Sequence, residues 1–271
     1  MNTAIDLKYA SLLNTCLEGH KKTGRNGTTC GVYAEKLTFR DFPLVSARRT
    51  SWKTALYEME WFLSGSQLLC ELHESVRPWW KPWADSLDRV RYNYSRQFRR
   101  AYGVNGGHLD QIENTINNIK HDPESRRHVI TTWNAADMAE ADCPITNCHG
   151  TVIQFFVKDN SLSMVMYQRS CDMVCGVPHN WVQYWAMLVW FARRTGLSVG
   201  DFTWIGGDVH VYEEHFDLAR RICEAAGRSI DDVNEIDFIY KPRNVDKFKA
   251  DDFALSAAYE PVLEDKAELV V

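Results

Sequence analysis

Residues 181–192, Trp-Val-Gln-Tyr-Trp-Ala-Met-Leu-Val-Trp-Phe-Ala, are apolar on nearly every side of a helix. Such a helix offers no face to water, so it has to lie at the centre of a domain with other layers packed around it. It is too short to cross a bilayer, which takes about 20 residues, and it carries Gln183. The rest of the chain must enclose it.

The flanking patterns supply those layers. Two apolar runs, 152–157 and 161–168, flank Asp159-Asn160 and predict two strands joined by a turn. Alternation over 31–45 predicts another strand, and a further strand is expected over 128–133. Trp52, Ala55, Leu56, Met59, Phe62 and Leu63 recur at three and four, which predicts a helix over 52–63. Leu109, Ile112, Ile116 and Ile119 predict an amphipathic helix over 109–120, whereas 5–22 is only weakly helical. No repeat, low-complexity tract or long linker divides the sequence, so residues 1–271 read as one α/β domain. With 45% apolar and 12% aromatic residues it can fill a large core.

A net charge of -5 argues against nonspecific binding to DNA or other nucleic acid, and a small anion needs only a local basic site. Eight cysteines without metal-ligand spacing fit a reduced protein with no metal site. The start shows no signal-peptide pattern, so a cytoplasmic location is expected, with no membrane partner.

The chemistry gathers between Asn147 and Asn180. Cys148 beside His149 is a candidate nucleophile, and the charge of nearby Arg169 favours a thiolate. Gln168-Arg169-Ser170 offers an anion-binding fork. Gly176-Val177-Pro178-His179-Asn180 ends in an amide that donates and accepts at once, as reading a pyrimidine edge requires. Upstream, glycines around Arg25 form a loop that can wrap an anion. Trp79, Trp80 and Trp83, broken by Pro82, suggest a wall on which a flat heterocycle stacks. Together these point to a nucleotide-modifying enzyme.

The ordered set Cys-His, Tyr-Gln-Arg-Ser-x-Asp and Gly-Val-Pro-x-Asn resembles the thymidylate synthase family, which includes the pyrimidine nucleotide hydroxymethylases of bacterial viruses. Glu58-Met59-Glu60-Trp61-Phe62-Leu63, Trp80-Lys81-Pro82-Trp83-Ala84-Asp85 and Gly207-Asp208-Val209-His210-Val211-Tyr212 extend the likeness over nearly the whole chain. The resemblance implies a mixed, twisted sheet with surrounding helices, and a homodimer packed sheet to sheet. It implies that Cys148 attacks dUMP while Glu58, Tyr94 and His149 handle protons and 5,10-methylenetetrahydrofolate is the co-substrate. Arg25, Gln168, Arg169 and Ser170 then hold the nucleotide, joined across the dimer by Arg126 and Arg127. Asn180 reads O4 and N3-H of uracil, and His210 and Tyr212 bond the sugar hydroxyl. Glu58, Trp80, Trp83, Ile145, Asp172, Gly176 and Val271 line the folate site.

Four departures stand out. Asn147 replaces the family's proline, one extra residue separates Cys148 from Gln154, the tail after Pro261 is altered, and His179 replaces a phenylalanine. That phenylalanine keeps the exocyclic methylene dry in the synthases. A histidine there can hold water, so the expected product is 5-hydroxymethyl-dUMP, the reaction of a viral hydroxymethylase. Thymidylate synthesis is the alternative. Asn180 favours dUMP over dCMP, and an intact Cys148, Glu58 and Asn180 disfavour a dead nucleotide- or RNA-binding protein.

Overall fold

The computed structural model describes residues 3–102, 106–139, 147–228, 236–265, 267 and 270. Two positions expected at the folate site, Ile145 and Val271, lie outside them.

The chain begins with α1 (Thr3–Leu17), followed by a hairpin of β1 (His20–Gly24) and β2 (Gly27–Phe39). Then come α2 (Trp52–Ser64), α3 (Arg77–Trp80), α4 (Tyr94–Arg100), the short strands β3 (Ala101–Tyr102) and β4 (His108–Leu109), and α5 (Gln111–His121). After β5 (Val129–Ile130) lie β6 (Val152–Lys158), β7 (Ser161–Asp172), α6 (Val177–Thr195) and β8 (Ser198–Tyr212). The chain closes with α7 (Phe216–Arg228), β9 (Phe238–Tyr240) and β10 (Phe253–Leu255).

Six strands form one mixed sheet in the order β1-β2-β8-β7-β6-β5. Only β7 and β8 run parallel, because α6 carries the chain back between them; the other neighbours are antiparallel. Asp159 and Asn160 both have left-handed backbone, φ 49° and 58°, as a tight two-residue hairpin between β6 and β7 requires.

The apolar run lies inside α6, which packs on β7, β8, α2 and α5. Pro178 sits in its first turn, Arg193 and Arg194 in its last, and left-handed Gly196 ends it. Ile153, Phe155, Met164, Met166, Phe202 and Trp204 are buried on the covered face of the sheet. On the opposite face Val152, Phe156 and Tyr167 are exposed, each about two-fifths open to solvent (44%, 42% and 38%).

Two expected strands are shorter than alternation predicts. The strand over 31–45 stops at Phe39, the last residue paired with β8; farther on, Ser46 and Ala47 give their N–H groups to the buried Asp6 carboxylate at 2.7 and 3.1 Å. The strand over 128–133 keeps only Val129 and Ile130. The Gln111 side chain takes both the N–H of Thr131 (3.0 Å) and its carbonyl (2.7 Å), which ends the ladder.

Gly31 sets the spacing of β2 and β8. It pairs with His210, and a Cβ there would lie 2.3 Å from the Val209 carbonyl oxygen. Gly31→Ala should therefore cost about 1–3 kcal/mol, measured as a lower denaturation midpoint. An unchanged midpoint would show that this approach is not tight.

Candidate active site

The loop before β6 presents Cys148. Tyr94, at the start of α4, reaches it from below: the N–H groups of Cys148 and His149 both donate to the Tyr94 oxygen, at 3.1 and 3.5 Å. With two lone pairs so engaged, the phenol O–H is left to donate to Cys148 Sγ, 3.4 Å away. The ring of His149 stacks on Tyr94 at 4.2 Å, and its Nδ1 meets the Tyr184 hydroxyl at 2.9 Å. Burial lowers the His149 pKa to about 3, so it is a neutral ring that orients two tyrosines and carries no charge to the site.

Asn147, the replacement for proline, ties this loop down by donating to the Thr132 carbonyl at 2.8 Å. Thr132 Oγ1 in turn donates to the Gly150 carbonyl at 3.0 Å. Gly150 has φ +57°, and a Cβ on it would sit 2.0 Å from the Tyr184 oxygen. The left-handed glycine lies within the stretch that is one residue longer than the family's.

Arg169 donates to the Asn147 carbonyl at 3.0 Å and lies over the Trp133 ring at 5.4 Å. Its charge does pull the Cys148 pKa down, as expected, and so does Tyr94. Burial outweighs both and holds the thiol above its ordinary range. Arg169 thus acts in the expected direction, and burial is the larger effect.

From Asn180, in the first turns of α6, a continuous chain of polar groups runs both ways. The Trp204 indole N–H donates to Gln168 Oε1 at 3.0 Å, and Gln168 Nε2 donates to Asn180 Oδ1 at 3.0 Å. Asn180 Nδ2 donates to Gln183 Oε1 at 3.1 Å. Gln183 Nε2 donates to the Ala55 carbonyl at 3.2 Å and to Glu58 Oε2 at 2.6 Å. The indole of Trp80 closes the chain on Glu58 Oε1. Asn180 keeps one N–H and one lone pair for a ligand, the pair that uracil O4 and N3-H need. Gln168, expected at the nucleotide, instead uses its amide on Trp204, Asn180 and the Ser170 carbonyl, so it acts through Asn180.

Glu58 is 8% exposed, and burial raises its pKa to about 7 despite the donors from Trp80 and Gln183. Its charge is felt at Cys148.

His179 has both ring nitrogens engaged. The Ser51 N–H donates to Nε2 at 3.2 Å, so Nδ1 carries the proton and donates to the Cys175 carbonyl at 2.8 Å. Burial lowers its pKa to about 4. No ring lone pair remains for water, which corrects the expectation that His179 holds one. Trp79, not Trp80, stands against this ring, edge-on at 5.7 Å. Trp80 is buried as the Glu58 donor, while Trp83 is half-buried.

Asp172 ends β7. Its Oδ1 accepts from the N–H groups of Val174 and Cys175 at 3.0 and 3.1 Å. Its Oδ2 and the Nδ1 of His215 are buried without hydrogen-bond partners among the described residues. Asp172, Cys175 and His215 form one cluster, each with a ligand atom within 4.8 Å of the others'. Gly176, beside them, would hold a Cβ without a clash.

Parallel pairing of β7 with β8 sets Asp172 beside His210 and Ser170 beside Asp208. The rings of His210 and Tyr212 meet edge to face at 5.2 Å. Arg25 is exposed in the β1–β2 turn, bonded to Asn26 at 2.9 Å, and Asn26 bonds Tyr212. Arg126 and Arg127 are exposed just before β5, at the other edge of the sheet. Five strand spacings separate β1 from β5, roughly 24 Å at about 4.8 Å each.

Sequence reasoning missed Gln183, Tyr184, Trp204 and Thr132 as parts of this site. Gln183 carried a signal: it follows Asn180 by three residues, so both lie on one helical face.

Glu58 makes stability depend on pH. Its folded pKa of about 7 exceeds the ordinary 4.5, so the fold favours the protonated form. That contribution is fully present below about pH 4.5 and is lost as pH rises through about 7. Glu58→Gln lacks the titration. Its stability relative to the parent chain should rise by about 3 kcal/mol from about pH 4 to about pH 8. Denaturant melts at several pH values test this, and a difference that does not change with pH would refute it.

The order of the thiol, amide, carboxyl and arginine motifs along the sequence is that of one enzyme family. The model of that family, described as thymidylate synthase, matches residues 7–271. The chain belongs to the thymidylate synthase family, whose reaction is folate-dependent transfer of a one-carbon unit to C5 of dUMP.

Proposed function

We propose that this chain joins the one-carbon unit of 5,10-methylenetetrahydrofolate to C5 of dUMP and completes the reaction with water, giving 5-hydroxymethyl-dUMP and tetrahydrofolate. The observation that carries the reading is the juxtaposition of Cys148, Tyr94 and Glu58 with the fixed amide of Asn180.

Cys148 Sγ bonds to C6 of the uracil, and the electrons of the C5–C6 double bond move to O4, where the spare N–H of Asn180 meets them. Arg169 and the Tyr94 hydroxyl help the thiol lose its proton against the cost of burial. The folate, when bound, supplies the electrophilic carbon that C5 takes. Asp172, with Gly176 four residues on, would contact the folate, and Trp80 and Trp83 would line its pocket. The C5 proton leaves by way of the Tyr94 hydroxyl, which passes its own proton to water as it accepts one, and the bond from the one-carbon unit to the folate nitrogen breaks, giving tetrahydrofolate and an exocyclic methylene at C5. Burial raises the Tyr94 pKa well above the ordinary value, and the Cys148 N–H on its oxygen lowers it in part. Glu58, with a pKa of about 7, takes a proton from water at neutral pH as the water oxygen bonds to the exocyclic carbon. Electrons return through the ring and expel Cys148.

Glu58 as the water's base supports the hydroxymethyl product. A second reading is thymidylate formation. It is favoured by the bonds of His179 to Ser51 and Cys175, which make it a packing ring.

The phosphate would be held by Arg25, Arg169 and Ser170 with the partner subunit's Arg126 and the partner subunit's Arg127. The width of the sheet keeps a chain from bringing its own Arg25 and Arg126 together, and the exposed Val152, Phe156 and Tyr167 suit a second sheet. Among the described residues no helix is long and apolar enough to cross a membrane. We place the enzyme in the cytoplasm, the host's if its source is a virus.

Incubation with dUMP and methylenetetrahydrofolate should give 5-hydroxymethyl-dUMP by mass spectrometry, with no dihydrofolate absorbance. Thymidylate and dihydrofolate in equal amounts would establish the second reading. Cys148→Ala should lose all turnover yet bind dUMP within a few-fold of the parent, checked by calorimetry; residual turnover would remove Cys148 from the mechanism.

A further inference from the structure

We propose that Gln183 is a positioning residue that fixes which edge Asn180 shows to the base and where Glu58 titrates. The inference rests on Asn180 being the base reader.

The sense of the amide chain is set from its ends. An indole N–H can only donate, so Trp204 requires an oxygen from Gln168. A backbone carbonyl can only accept, so Ala55 requires the NH2 of Gln183. Between them Gln168, Asn180 and Gln183 have one consistent arrangement, oxygen toward Trp204 and nitrogen toward Ala55. Turning Asn180 over would set its NH2 against that of Gln168 and its oxygen against that of Gln183. All three side chains are buried, so water cannot repair the mismatch. Asn180 thus offers its remaining N–H and lone pair in a set order, the order that matches uracil and opposes cytosine. Gln183 also donates to Glu58 Oε2, which favours the carboxylate. One side chain therefore joins base recognition to proton transfer.

The order also constrains how dCMP could be accepted. A protonated carboxyl at position 180 would still face Gln183 Oε1 and give its proton there, leaving none for cytosine N3. Asn180→Asp alone should gain little dCMP activity, and Asn180→Asp combined with Gln183→Leu should gain more.

The test compares dUMP and dCMP as substrates for the parent enzyme, Gln183→Leu and Trp204→Phe, and records kcat/KM for dUMP against pH. Both variants should lose about tenfold or more of the preference for dUMP. Only Gln183→Leu should move the acid limb of the profile to higher pH, because only it removes a donor from Glu58. Should Gln183→Leu fail to fold, Gln183→Met and Trp204→Phe carry the same comparison. Unchanged preference together with an unmoved limb in a folded Gln183 variant would overturn the inference. A parent enzyme that prefers dCMP would instead overturn the reading of Asn180 on which it rests.

Discussion

Burial of α6 between the sheet and α2 governs this structure. A helix enclosed on all sides gains from its aromatic and aliphatic residues, but any amide it carries must find partners inside the protein. Asn180 and Gln183 lie on that helix and are 6% and 0% exposed. Their needs are met by β7 through Gln168, by β8 through Trp204 and by α2 through Glu58 and Ala55. The same contacts that satisfy the core therefore align the recognition groups. Packing and chemistry are two aspects of one arrangement here.

Burial also sets the electrostatics. It drives Glu58, Cys148, His149 and His179 toward their neutral forms. Against that trend, Arg169 is the positive charge felt at Cys148.

Much of this was legible in the sequence where periodicity is strong. Helices over 52–63 and 109–120 and the hairpin at Asp159-Asn160 correspond to α2, α5 and the β6–β7 turn. The end of β5 was not legible, because it depends on a side chain from elsewhere: Gln111 claims the N–H and carbonyl of Thr131. The reactive residues were readable from short ordered motifs, as Cys148, Glu58 and Asn180 show. Their settings were not. The tautomer of His179 depends on the Ser51 N–H, 128 residues away in the chain, and the thiol pKa depends on depth of burial. Motifs name reactive groups, whereas tertiary contacts decide their protonation and orientation.

Gly150 shows how the fold tolerates change beside its nucleophile. The segment from Asn147 to Thr151 is stitched to Thr131 and Thr132, and β6 then starts in step with β7. The left-handed glycine between these anchored points makes a turn that a side chain would block, since a Cβ there would meet Tyr184. Added length can bulge there while the sulfur upstream and the strand register downstream both stay in phase.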